Sequence, residues 1–220
     1  MAKKKTTKYK WDLFFQRLQE NIFRPKRQTK DILFRLVFGN DRQALLQLYN
    51  ALHGTAYTDP HELQIVTLDN AIYISRKNDL AFLLAGSINM YEHQSTLNPN
   101  MPVRFLIYLA QEYQLLVEST DKSLYGSELI PLPTPQCVVF YNGTADTPDE
   151  YELRLSSAFS SLDVEPAVEV VVNVININYG HNEHLMQGCG LLSQYAQFVA
   201  VTREYANKYD NRKEAMNVAI

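Results

Sequence analysis

Hydrophobic positions recur along the chain at two periods, and the switches between them outline its elements. From about Lys30, the residues Ile32, Leu33, Phe34, Leu36, Val37 and Phe38 make a broad apolar helix face that Thr29 can cap and Gly39 stops. A second helix is predicted over roughly Asp41 to His53, where Ala44, Leu45, Leu48, Tyr49 and Leu52 keep helical spacing up to Gly54. Short apolar stretches follow at Leu63 to Leu68, Ala71 to Ser75, Leu80 to Ala85 and Ile88 to His93. Polar breaks at Asp69-Asn70, Arg76-Lys77-Asn78 and Gly86-Ser87 make them strands and hairpins. A turn over Asn98 to Pro102 leads into a helix from about Val103 to Glu118, with Phe105, Leu106, Leu109, Tyr113 and Leu116 inward.

Pro131, Pro133 and Pro135 force an extended connection into Cys137 to Asn142, a continuous apolar run closed by Gly143 that suits a strand buried on both faces. Thr144 to Glu165 is polar and reads as a loop with one short helix around Leu155 to Phe159. Ala167 to Asn176 is rich in β-branched residues and reads as a second buried strand, and a final helix is expected from Asn182 to about Tyr205. The order of elements predicts an α/β domain with a mixed sheet.

A chain of 220 residues, 46% of them hydrophobic and including 14 Tyr and 10 Phe, is long and apolar enough for one domain with a sizeable core. No apolar run approaches the roughly 18 residues of a membrane helix, so no membrane partner is expected. The positive first residues are not followed by the apolar stretch of a signal peptide, and the expected location is cytoplasmic. Cys137 and Cys189 have neither disulfide-framework nor metal-ligand spacing and read as two buried thiols. The last residues, Lys213 to Ile220, read as part of a helix. A homodimer is compatible with the sequence, although no motif encodes an oligomeric state.

Charge divides the chain more sharply than the net value of -3 suggests. Residues 1–30 carry ten Lys and Arg against two acids, a +8 arm, whereas residues 31–220 carry eleven against twenty-two. An arm of about residues 1–27, interleaved with Trp11, Phe14, Phe15 and Phe23, can lie along DNA phosphates and gain affinity from counterion release. It can equally be a solubilising terminus. The acidic body, residues 28–220, repels nucleic acid unless cations intervene locally.

The informative segment runs from Lys77 to Gln94. If its turn is the two-residue Ala85-Gly86, Asp79 lies across from Glu92, both side chains share a sheet face, and Gln94 joins them. Opposed carboxylates repel unless neutralised, and a hard divalent cation held by oxygens is a common remedy. Mg²⁺ there would activate a water for attack on a phosphodiester. The same spacing also fits a solvated strand edge, against which stands the apolar character of the strands between the acids.

At these residues the sequence resembles the PD-(D/E)XK nuclease superfamily and, within it, the Rpn group of recombination-promoting nucleases and transposase-like proteins. Lys30 to Gly39 resembles the opening D-x-x-F-[KR]-x-x-F-G helix, Leu45 to Gly54 the L-x-x-x-L-N-A-L-x-G helix, and Asn78-Asp79 with Tyr91 to Gln94 the D...E-x-Q hairpin. Met101 to Tyr108, Pro133 to Gly143 and Asn176 to Asn182 are similar to later blocks, so the resemblance spans about residues 28–206. It implies a restriction-endonuclease-like αβββαβ core and a metal-dependent DNA endonuclease linked to recombination or mobile elements. Asp79 and Glu92 would ligate Mg²⁺, with Mn²⁺ as a substitute, and the backbone carbonyl of His93 would add a third oxygen. Gln94 stands where the superfamily usually has Lys, so charge at the transition state would come from another cation such as Arg104 or Arg76. Asp31 resembles an acid that many members bring from the first helix, and it equally suits the dipole of that helix. The alternative is a module that keeps the fold but only binds DNA or protein. His181 and His184 share a helical spacing but lack a third ligand, and capping or surface roles are expected for them.

Overall fold

The computed structural model describes residues 29–66, 80–161 and 163–208, with side chains over 33–66, 80–161 and 163–204. The basic arm, the stretch expected as a strand from Ala71 to Ser75, Arg76, Asp79 and the chain's last residues lie outside these segments. Helix α1 spans Thr29–Gly39 and α2 spans Arg42–His53. Asp41 precedes α2 as its cap rather than belonging to it, its carboxylate accepting the Gln43 and Ala44 N–H groups at 3.0 and 3.1 Å. Gly54 ends the helix in the left-handed region at φ 62°.

Six strands form one mixed sheet in the order β1-β2-β3-β4-β6-β5. They are β1 (Gln64–Ile65), β2 (Leu80–Leu84), β3 (Ser87–Gln94), β4 (Thr134–Tyr141), β5 (Glu150–Arg154) and β6 (Val171–Asn176). β1, β2 and β3 are antiparallel, β3, β4 and β6 run parallel, and β5 closes the far edge antiparallel to β6. β4 is therefore central, as its unbroken apolar run requires, and Cys137 to Tyr141 are all buried. The strand is longer than its apolar run, because Thr134, Pro135 and Gln136 already pair with β3.

Helix α3 (Met101–Glu118) packs on one face of the sheet, against Ala81, Ile88, Met90, Val139, Tyr141, Val172 and Val174. It begins two residues before the expected Val103, with Pro102 in its first turn, where a missing N–H costs nothing. The other face carries Leu80, Phe82, Leu84, Tyr91, Val138, Phe140 and Ile175 against α1, α2, α4 (Glu183–Gly188) and α5 (Gly190–Lys208). Each fully buried aromatic contributes about 1.5 to 3 kcal/mol by leaving water, and Phe34, Phe82, Phe105 and Phe140 divide this between the two faces. The result is an α/β fold with a six-stranded mixed sheet flanked by helices.

Three expectations need correcting. The polar stretch expected as a loop contains β5, an edge strand whose residues alternate between outward Glu150, Glu152, Arg154 and half-buried Tyr151, Leu153. The β-branched strand starts at Val171 rather than Ala167. The final helix is two helices, broken at Cys189, which is extended at φ -129° and ψ 90°. The break lets α4 press against α2, where a Cβ on Gly188 would stand 2.7 Å from that of Ala51.

Candidate functional site

The β2–β3 hairpin has the turn on which the site depends. Leu84 pairs with Ser87 and Leu80 with Tyr91, leaving Ala85 and Gly86 as the two loop residues, both left-handed at φ 50° and 76°. Asp79 would be the next residue along β2, but it lies outside the described residues. The same holds for the side chain of Asp31 on α1.

β3 ends in Tyr91-Glu92-His93-Gln94, and the pleat divides these four between the faces. Tyr91 and His93 enter the core shared with α1, α2 and α5. The His93 ring stacks on Phe34 with centroids 5.2 Å apart, and its Nε2 lies 2.9 Å from the Tyr195 hydroxyl. The imidazole therefore points away from Glu92, as strand alternation requires, and only its backbone is near the candidate site. Gln94 gives its carbonyl to the Asn142 N–H on β4's side at 2.9 Å. Alternation turns the His93 carbonyl towards β2.

Glu92 and Gln94 share the α3 face. Glu92 is buried, and its Oε2 accepts hydrogen bonds from Arg104 Nη2 at 2.8 Å and from Gln94 Nε2 at 3.2 Å. Arg104 comes from the first turn of α3 and is held there by its neighbours one turn along. Its Nε and Nη2 donate to the Tyr108 hydroxyl at 3.3 and 3.2 Å, and its Nη1 lies 3.2 Å from the Met101 sulfur. The guanidinium carbon is 5.7 Å from the centre of the Tyr108 ring, within cation–π range. A carboxylate this deeply desolvated needs a counter-charge, and Arg104 supplies it. Sequence reasoning named Arg104, with Arg76, as a source of transition-state charge but did not pair it with Glu92.

The oxygens of Glu92 and the His93 carbonyl suit a hard cation such as Mg²⁺. A guanidinium and a divalent cation would compete for Glu92 Oε2. Among the described residues no three His, Cys, Asp or Glu side chains gather into a metal cluster. His184 is exposed, and His181 Nδ1 lies 2.6 Å from Asp149 Oδ1 instead of joining it. That contact, with the Asn182 N–H, holds the exposed Asp149 carboxyl below its usual value. Both cysteines are buried thiols, and burial pushes Cys137 up to about 12.

A polar cleft of about 400 Å³ opens where β4 and β6 end, lined on one side by Ala200 and Arg203 of α5. Its floor is a chain of amides that sequence reasoning did not bring together. Arg203 on α5 donates from Nη1 to Asn178 Oδ1 at 2.7 Å and from Nη2 to both the carbonyl and the side-chain oxygen of Asn142, the latter at 2.7 Å. Asn178 Nδ2 in turn donates to the Gly143 carbonyl and to Asn176 Oδ1 at 3.1 and 2.9 Å, and Asn176 Nδ2 donates to Thr147 Oγ1 at 3.0 Å. The available signal was the recurrence of Asn at 142, 176, 178 and 182, at or just past the ends of two buried strands.

No described helix is long and apolar enough to cross a membrane. Comparison of the chain with protein-family models, with curated proteins and with solved structures finds no match.

Proposed function

We propose that the chain is a metal-dependent DNA endonuclease of the PD-(D/E)XK type, acting at the C-terminal end of β3. The observation that carries this reading is the buried Glu92 flanked by Gln94 and Arg104 on one sheet face. The element order from α2 onward, a helix, three antiparallel strands, a helix and a parallel strand, supports it as the order that the resemblance implies. Asp79, Glu92 and the His93 carbonyl would hold Mg²⁺ or Mn²⁺. Such an ion, when bound, supplies a water of lowered pKa as the nucleophile.

The chain's own groups have separable roles. The Gln94 amide, braced on Glu92, orients a water but carries no charge to offset that of the phosphate. Arg104 supplies that charge, because it can exchange the Glu92 carboxylate for a phosphate oxygen while the Tyr108 hydroxyl keeps its guanidinium in place. Asp31 would add a further carboxylate from α1. The test is nicking of supercoiled DNA in Mg²⁺, Mn²⁺ or EDTA by wild type, Asp79→Ala and Glu92→Ala. Metal-dependent nicking lost in both variants supports the reading, and nicking unaffected by either variant contradicts it.

One observation favours a second reading, a module that binds DNA or protein without cleaving. The Arg104–Glu92 pair already neutralises the carboxylate without any metal. Duplex binding would then be steeply salt-dependent, insensitive to EDTA, and lost on deletion of residues 1–25.

A further inference from the structure

The cleft between the ends of β4 and β6 has no role in phosphodiester hydrolysis as derived above, yet its floor is an ordered hydrogen-bonded network. It lies where ligands bind in open α/β sheets, beyond the carboxyl ends of parallel strands. It is also tied to the candidate site, since the Asn142 that receives Arg203 donates its N–H to Gln94. From β3 to β6 is two strand spacings, about 10 Å, a distance that a short stretch of single strand covers.

The chemistry of the walls selects the occupant. Arg203 brings positive charge, but its Nη groups are engaged by the oxygens of Asn142 and Asn178, so its fork does not face outward to grip a phosphate on two sides. Asp146, also on the lining, works against a small free anion. A volume of about 400 Å³ far exceeds an inorganic ion and falls in the range of small-molecule sites. Tyr179 lines the cleft with 63% of its surface exposed, and Thr144 and Asp146, also on its lining, offer hydrogen-bonding edges. A ring that shares one cleft with neutral and acidic polar groups and a fixed cation suits a flat heterocycle carrying a phosphate outside the cleft.

We propose that this cleft binds one unstacked nucleotide of a DNA strand whose neighbouring phosphodiester lies at Glu92. Tyr179 is the stacking face, Thr144 and Asp146 meet the base edge, and Arg203 holds the amide floor and attracts the strand through its charge. The proposal rests on the nuclease reading for the strand's path, but the cleft's own binding is separable from it.

The experiment titrates the four deoxynucleoside monophosphates, inorganic phosphate and ribose 5-phosphate into the full chain, followed by calorimetry and by NMR shifts of residues 143–147 and 178–181. At least one nucleotide should bind, with shifts in both segments, and the two base-free phosphates should not displace it. Tyr179→Ala should weaken binding about fivefold or more, the loss of one stacking contact, whereas Tyr179→Phe should retain it. Nucleotide binding in a chain that does not nick DNA upholds the cleft and removes the nuclease reading. Absence of nucleotide shifts in both segments, equal binding of ribose 5-phosphate, or full affinity in Tyr179→Ala overturns the cleft proposal even if nicking is found.

Discussion

Replacing Arg104 by Met keeps much of the aliphatic stem that packs on Tyr108 and removes the charge that faces Glu92. The Glu92 side chain is 2% exposed and that of Arg104 19%, so the pair lies between two regimes. Removing one partner of a fully buried pair costs about 3 to 5 kcal/mol, and an exposed pair contributes about 1 kcal/mol or less. Gln94 still donates to the same Glu92 oxygen, and a fifth of Arg104 is in water, which lowers the expected cost to about 2 kcal/mol. For a domain of this size that is a fall in Tm of about 4 to 8 °C. Urea and thermal unfolding of wild type, Arg104→Met, Glu92→Gln and the double variant measure it. The double variant should lose about 1 to 2 kcal/mol less than the sum of the two single losses, because a neutral amide in place of the Glu92 carboxylate no longer needs the cation. Mg²⁺ should raise the Tm of Arg104→Met more than that of wild type, since the guanidinium no longer competes for the carboxylate. Additive losses within about 0.5 kcal/mol, together with equal Mg²⁺ responses, would refute the coupling of Arg104, Glu92 and the cation.

Three smaller effects follow from the same geometry. Ala85 sits at φ 50°, a left-handed conformation that Asn accepts better than Ala because its short polar side chain hydrogen-bonds locally, so Ala85→Asn should raise stability by about 1 kcal/mol in urea unfolding, and a loss would contradict the turn. Gly188→Ala would place its Cβ 2.7 Å from that of Ala51 and should cost about 1 to 3 kcal/mol, whereas a neutral result would mean that α4 does not press on α2. The lowered pKa of Asp149 means that its contribution to stability is present above the ordinary carboxyl value and is lost as pH falls through the lowered one. In a carboxyl NMR titration, His181→Ala should return Asp149 towards that ordinary value, and an unshifted Asp149 in wild type would remove the His181 contact.

The parts legible in the sequence were those that short-range pattern decides. The Ala85-Gly86 turn set the register of the hairpin, and parity alone then put Glu92 and Gln94 on one face with His93 on the other. What escaped depends on tertiary approach. Arg104 reaches Glu92 across twelve residues because of how α3 crosses the sheet, and no spacing rule encodes that angle. Arg203 meets Asn142 from sixty-one residues away, at the end of a helix that a smooth apolar period made look continuous through Cys189. β5 was missed although Glu150-Tyr-Glu-Leu-Arg154 alternates strictly, because the charged edge positions outweighed the two apolar ones.

Wild type and Glu92→Gln, both verified as folded by thermal unfolding, are to be compared for nicking of supercoiled plasmid with Mg²⁺ and with EDTA. Gln keeps the shape of the side chain and can still meet Arg104 and Gln94, but it gives up the charge a metal requires. Wild type should nick in Mg²⁺ and not in EDTA, and the variant should nick in neither. Equal nicking by the two proteins, or a folded wild type that binds DNA and leaves it intact in Mg²⁺ and Mn²⁺, would contradict metal-dependent cleavage at Glu92.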